Sequence, residues 1–369
     1  MVMEYKYNRF NGRLVTEKEY RKLRIDKAYL PKGESPVIVG QLTEEEYFEL
    51  GRVPRGVGAV LHGWHSGPQS VLDFRAMTER CPHDCAHCFT NKTKRTLTPR
   101  EINNVINQAK DLGYVGINYL GEGEPTIDSD FFRIINHTSS RGLVPIVFTE
   151  AATRLRKNWD YAERLNDANA SICPKCDSLF SEDYQNSVVG DLTGAYFQKR
   201  NEVVWGLERL GFSWNRKDGQ TRLGFDMVVT KRNVDEVEQT LRHCRDRNIW
   251  VVFSTYLPAG RCSQKNFNDS LALSQEELVK MRRTIKRVDA EYGFNHPIFN
   301  NFGTFPCVEF MQIYGNGDVS PCPGNETIVG NVRKDSLDVL AKRIRERFPC
   351  HRLENQDGNC AYRLGLKQL

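Results

Sequence analysis

Cys81, Cys85 and Cys88 lie within eight residues, with three and then two positions between them. Thiolates are soft ligands that suit zinc or iron–sulfur clusters. The spacing is not that of a zinc-finger pair, and a structural zinc site wants a fourth ligand, which here would be His83 or His87. On a four-iron cluster the same three cysteines would leave one iron open to a substrate or cofactor. A second group, Cys307, Cys322, Cys350 and Cys360, lies near the C-terminus. Four thiolates suffice for one fully ligated four-iron cluster, with His351 as an alternative ligand and a zinc site or unligated buried thiols as the competing reading. The remaining cysteines are Cys173, Cys176, Cys244 and Cys262. Cys173 and Cys176 form a C-x-x-C pair, read here as packed thiols rather than a redox or metal pair. Cys244 falls on a predicted helix and reads as core.

These residues need elements to hold them. Strand-like runs are predicted at 71–74, 115–119, 143–149, 170–175, 223–230 and 249–257, with helical stretches between them. One helix opens at Thr98 with Pro99 at its first position and Glu101 completing a capping box. Its apolar residues Ile102, Val105, Ile106, Ala109 and Leu112 recur at helical spacing and would face a sheet. Two later helices are expected to open at Asn233 and Ser274, each with a glutamate three residues on. Six strands each followed by a helix imply a parallel sheet, open or closed into a barrel, with ligand sites at the C-terminal strand ends. Residues 1–72 read as a partly irregular lead with one helix opened by Thr43 and Glu46. After about residue 300 the alternation stops. Runs at 308–314 and 319–322 flank Gly315-Asn316-Gly317-Asp318, a hairpin turn, and a last helix is predicted at about 336–347. This end reads as a small separate subdomain that a metal cluster could help to hold.

The chain has 369 residues, a net charge of +5, 39% hydrophobic and 27% charged residues, and 11 cysteines. That composition is globular rather than disordered, and its charge is far from the strongly basic footprint of a dedicated nucleic-acid binder. No run of about 18 apolar residues predicts a membrane span, and the polar start MVMEYKYNRF lacks the apolar stretch of a signal peptide. A cytoplasmic location is therefore expected. There, an odd cysteine count argues against a disulfide framework and for metal or redox chemistry.

The three cysteines after the first strand of a six-fold strand–helix pattern resemble the radical S-adenosylmethionine (SAM) superfamily. The resemblance covers about residues 72–292. It implies an α/β fold, a partial (β/α)6 TIM-like barrel with a small C-terminal β-hairpin and helix carrying an iron–sulfur subdomain. The implied boundaries are a lead at 1–72, a core barrel at 73–295 and an auxiliary subdomain at 296–369. It further implies that Cys81, Cys85 and Cys88 bind a [4Fe-4S] cluster whose open iron takes SAM. Gly121-Glu122-Gly123-Glu124-Pro125 resembles the family's GGEP element, with Glu122 where the first glycine often lies; Gly121, Gly123 and Glu124 would thus bind the cofactor. By position, His87 would lie near the adenine, Ser178 would reach the ribose or carboxylate, and Leu257 would contact the adenine through its backbone. Cys307 and Cys322, with the hairpin between them, resemble the opening of SPASM and twitch subdomains. The dense cysteine run of a full SPASM domain is absent, so one auxiliary [4Fe-4S] cluster on Cys307, Cys322, Cys350 and Cys360 is implied.

The function implied is reductive cleavage of SAM to a 5′-deoxyadenosyl radical that abstracts a hydrogen atom from a small-molecule or peptide substrate. Dehydrogenation, epimerisation or bond formation would follow. Cys262, after the sixth strand, could return a hydrogen atom to a substrate radical; its alternative is an ordinary loop cysteine. Lys92–Arg95 and Lys342–Arg347 could receive an acidic flavodoxin or ferredoxin as electron donor. Two other readings stand beside this one: radical SAM modification of RNA or a nucleotide-type cofactor, since nucleic acid is not excluded by the charge, and a non-catalytic iron–sulfur or zinc protein. The Gly123–Glu124 loop and the six-strand pattern speak against the last, because a carrier needs neither.

Overall fold

The computed structural model describes residues 71–213, 220–256, 259–261, 270–292, 311–322 and 325–348, together with four short strands before residue 62. Those strands are β1 (Met3–Asn8), β2 (Arg13–Thr16), β3 (Gln41–Leu42) and β4 (Val60–Leu61). β1 pairs antiparallel with both β2 and β3. The lead is therefore not wholly irregular, and the period-two alternation of Glu4-Tyr5-Lys6-Tyr7 is the local signal for it. The helix expected at Thr43 lies outside the described residues.

The main body alternates strand and helix. In chain order it runs β5 (Val71–Phe74), α1 (Pro99–Asp111), β6 (Gly116–Tyr119), α2 (Phe131–Ser140), β7 (Val144–Thr149), α3 (Arg154–Lys157), α4 (Trp159–Asp167), β8 (Ser171–Pro174), α5 (Glu182–Val189) and α6 (Tyr196–Arg209). Then come β9 (Gln220–Thr221), β10 (Gly224–Val229), α7 (Val237–Asp246), β11 (Trp250–Thr255) and α8 (Gln275–Glu291). β5, β6, β7 and β8 pair in parallel in that order, and β10 pairs in parallel with β11. Parallel bridges at Ile172–Leu223 and Lys175–Asp226 join β8 to β10. The six expected strands thus form one parallel array, which among the described residues does not close into a full barrel. Short β4 and β9 pair in parallel beside it.

Helix faces explain the packing. α1 buries Ile102, Val105, Ile106 and Ala109, and the capping box between Thr98 and Glu101 forms as the sequence suggests. The box at Ser274 and Glu277 also forms. The one expected at Asn233 does not. Asn233 leaves its side chain to the end of β10, where Oδ1 accepts from Thr230 N at 2.7 Å and Nδ2 donates to the Asp177 and Val228 carbonyls. A single-turn helix (Val234–Glu236) intervenes before α7. A buried loop with carbonyls to satisfy outcompetes capping for that amide.

The C-terminal hairpin forms as β12 (Gln312–Ile313) and β13 (Asp318–Ser320), followed by β14 (Gly330–Asn331) and α9 (Leu337–Arg347). It is not detached from the body. β12 pairs in parallel with β5, Gln312 opposite Asp73 and Ile313 opposite Phe74, so one sheet runs from the hairpin into the barrel. The Gly315 carbonyl accepts from Thr96 N and Leu97 N, and Arg333 bonds Glu101 and the Thr96 carbonyl. The face of α9 carrying Leu337, Leu340, Ala341 and Ile344 is buried. Among the described residues no helix is long and apolar enough to cross a membrane.

Candidate active site

One cavity of about 210 Å³ opens at the C-terminal ends of the parallel strands, where such a fold places its ligands. Cys81, Cys85 and Cys88 all line it, on the loop that leaves β5, and none is in a disulfide. Three neighbouring segments fix that loop. Gly123 N and Glu124 N donate to the Thr78 and Arg80 carbonyls at 2.9 and 2.8 Å. Ala86 N donates to the Val188 carbonyl at the end of α5. Arg261 N donates to the Thr90 carbonyl, and the Arg261 side chain pairs with Asp84. A Cβ at Gly260 would fall 2.2 Å from the Phe89 carbonyl oxygen, so this backbone can approach the cysteine loop only as glycine.

Burial pushes the Cys81 thiol up and the Cys85 thiol up to about 12. Thiols raised in this way are held protonated; a metal centre reverses this by binding thiolate, so loading releases protons. Among the described residues no three His, Cys, Asp or Glu side chains converge on a point that a single ion would occupy. A four-iron cluster gives each thiolate its own iron, and three cysteines on one loop supply three such donors. The donor set fits the cluster.

The Gly121–Pro125 loop faces the cysteines across the cavity. Gly121 has φ +67°, and a Cβ on Gly123 would sit 2.0 Å from the Arg80 carbonyl oxygen, so both glycines are required by conformation and close approach. Glu122 and Glu124 line the cavity, but their carboxylates bond within the surrounding loops. Glu124 accepts from Thr126 N, Thr126 Oγ1, Thr149 Oγ1 and Glu150 N at 3.0, 2.6, 2.7 and 2.7 Å. Burial first, and then the Glu150 charge, raise its carboxyl to about 7. Glu122 accepts from Thr93 N and lies 3.9 Å from the fully buried Arg75, while its carbonyl takes the Thr90 hydroxyl, which also meets Cys88 Sγ at 3.2 Å. Arg75 stacks between Phe89 and Tyr314 and so couples the cysteine loop to the C-terminal hairpin.

His87 lines the cavity and is buried. Its Nε2 is 2.6 Å from Lys175 Nζ, and burial with the Lys175 charge lowers it to about 4, so the ring is a neutral acceptor. Lys175 also pairs with Asp177 at 3.0 Å. His83 bonds Glu150 at 3.0 Å and packs edge-on against Tyr196, whose hydroxyl donates to the Glu150 carbonyl. Ser178 is fully buried and is not among the lining residues; its hydroxyl donates to Glu236 and accepts from Phe180 N and Ser181 N. Of the C-x-x-C pair, Cys173 lines the cavity while Cys176 is buried and donates toward the Ser178 carbonyl. Cys322 ends the hairpin and is partly buried. Leu257, Cys262, Cys307, Cys350 and Cys360 lie outside the described residues.

Sequence reasoning missed a set of polar side chains on the strands themselves: Asp73, Asn118, Asp226 and Ser254 line the cavity interior. Their signal was available, since each interrupts an apolar strand that is covered on both faces.

A parallel half-barrel that delivers three unpaired cysteines and a glycine-rich loop to one cavity defines a scaffold for a cysteine-ligated cluster enzyme. Residues 76–210 match the family model described as the Radical SAM superfamily, so this part of the chain carries a domain of that family. PqqA peptide cyclase of Bradyrhizobium diazoefficiens is 29% identical over 102 residues, 26% of this chain and 25% of that protein. GTP 3′,8-cyclase of Pseudomonas putida is 24% identical over 237 residues, 61% of this chain and 66% of that protein. The chain thus matches less than two thirds of the length of either relative. Among solved structures, Streptococcus suis SuiB bound to the precursor peptide SuiA has a TM-score of 0.59 at 14% identity, covering 99% of this chain and 96% of that one. At that identity the likeness is one of fold.

Proposed function

We propose that the chain is a radical SAM enzyme that modifies a peptide. The observation that carries the reading is the meeting of Cys81, Cys85, Cys88 and the Gly121–Glu124 loop in a single cavity at the strand ends. The named relatives support the substrate class: one is a peptide cyclase, and the fold neighbour was solved with a precursor peptide. When bound, the [4Fe-4S] cluster supplies the electron that cleaves SAM to methionine and a 5′-deoxyadenosyl radical able to remove a substrate hydrogen atom.

The chain's own residues bind and orient. Cys81, Cys85 and Cys88 would hold three irons. The inward bonding of Glu122 and Glu124 stiffens the loop that would face the methionine moiety, so its backbone geometry is set before ligand arrives. Lys175 is a fixed cation beside the cysteine loop, and the neutral His87 ring accepts a hydrogen bond from it.

A single auxiliary [4Fe-4S] cluster on Cys307, Cys322, Cys350 and Cys360 belongs to the same reading. It is supported by a hairpin that ends at Cys322 and pairs with the strand leading to Cys81. A flavodoxin or ferredoxin would supply the reducing electron. Anaerobically reconstituted protein is expected to hold about seven to eight irons per chain, four per cluster, and Cys322→Ala to lose about four of them. With dithionite and SAM, liquid chromatography should detect 5′-deoxyadenosine. Stoichiometric zinc without iron would overturn the reading. A second reading, action on a nucleotide, draws on the match to GTP 3′,8-cyclase; trapping of deuterium from a labelled peptide, or from labelled GTP, in the 5′-deoxyadenosine product separates the two.

A further inference from the structure

Five carboxylates line the cavity, and four have partners in the geometry above. Glu124 and Glu150 take loop donors, Glu122 faces Arg75, and Asp73 accepts from Asn118 Nδ2 at 2.7 Å. Asp226, the third residue of β10, differs. Its one side-chain hydrogen bond comes from Ser254 Oγ at 3.4 Å, near the limit for such a bond. Lys175 is its cross-strand neighbour, yet the Lys175 ammonium is held by Asp177 and His87 instead. Among the described residues Asp226 enters no ion pair within 4.0 Å. Burial pushes its carboxyl up to about 6, with Lys175 pulling the other way. A half-buried carboxylate on the cavity wall, left with one long hydrogen bond, favours a ligand that brings a positive charge to it.

We propose that Asp226, supported by Ser254, anchors the substrate in this cavity, and that the group it takes is the protonated side-chain nitrogen of a basic residue in a peptide. This rests on the reading that the cavity is a radical SAM active site acting on peptides. A charge-assisted bond to an ammonium would hold that side chain with its aliphatic carbons along the strand ends, inside the cavity that the cysteines share. The same charge would repel a nucleotide phosphate, so the anchor also separates the two substrate classes considered above.

The test uses cluster-loaded, SAM-bound protein under anaerobic conditions and two probes, Nα-acetyl-lysine amide and Nα-acetyl-norleucine amide, which share a linear aliphatic stem and differ in charge. Saturation-transfer NMR should show the lysine probe binding at least about tenfold more tightly, the gain of one charge-assisted bond. Asp226→Asn should bring the ratio to near one, and Asp226→Glu should keep most of it. Equal binding of the two probes to the wild type overturns the proposal, as does a preference that survives in a folded D226N protein. If D226N does not fold, the wild-type ratio and the retention in D226E decide. Wild-type SAM cleavage in the same preparation reports on the parent reading alone. Cleavage without the lysine preference defeats only the anchor; the preference without cleavage leaves the anchor standing and defeats the enzyme assignment.

Discussion

Replacing Cys85 by alanine is expected to remove about four irons per chain and to reduce 5′-deoxyadenosine formation to background, because a [4Fe-4S] cluster with two protein thiolates is no longer held against loss or oxidation. Cys85 is the middle ligand of the three, and its thiol lies within reach of the Lys175 charge. Alanine removes the sulfur but fits the same backbone, so the loop's ties to Thr78, Arg80 and Val188 persist and the fold should survive. Iron analysis, the loss of visible cluster absorbance and a SAM-cleavage assay check the result together. A C85A protein that kept its iron and cleaved SAM would defeat the cluster assignment. The Cys307, Cys322, Cys350 and Cys360 group should retain its own iron, so the count should fall rather than vanish.

Glu124→Ala is expected to produce the largest loss of stability among changes around the cavity. The carboxylate is the acceptor for two backbone N–H groups, those of Thr126 and Glu150, and for two hydroxyls. Removing it leaves buried donors without an acceptor at about 1–3 kcal/mol each. The two amides alone give roughly 2–6 kcal/mol, against a total stability of about 5–15 kcal/mol for a typical protein. The hydroxyls can turn elsewhere; the amides cannot. These bonds staple the loop after β6 to the loop after β7, so SAM affinity should fall together with the melting temperature. Glu124→Gln separates the two contributions: it keeps one acceptor oxygen but presents an NH2 to a donor, and should lie between wild type and alanine in both thermal denaturation and SAM binding. If E124A melted with the wild type and bound SAM normally, the staple would be irrelevant.

Much of this was legible in the sequence. The spacing of Cys81, Cys85 and Cys88, the Gly121–Pro125 loop, the capping boxes at Thr98 and Ser274 and the alternation of strands with amphipathic helices are local patterns. Local patterns follow from backbone sterics, hydrogen-bond valence and the periods of helix and strand, so they can be read without knowing what lies across the fold. Those features were enough to state the fold class and the family resemblance.

The direction in which a side chain is used is not local, and here only the tertiary structure decided. Glu124 looks like a cofactor ligand in a linear motif, yet its carboxylate meets Thr149 and Glu150, which lie about 25 positions away in the chain. Ser178 resembles a ligand contact by position and is bonded instead to Glu236, 58 residues on. Asn233 has the sequence of a cap and serves the end of β10. Asp226 reads as an interruption in an apolar strand, and is left with one long hydrogen bond from Ser254 while Lys175, on the neighbouring strand, is held by Asp177 and His87. For Glu124, Ser178 and Asp226 the deciding partner is brought close by strands and loops far apart in the chain. Register depends on how whole strands and helices pack, whereas a motif records only which residues stand next to one another along the chain.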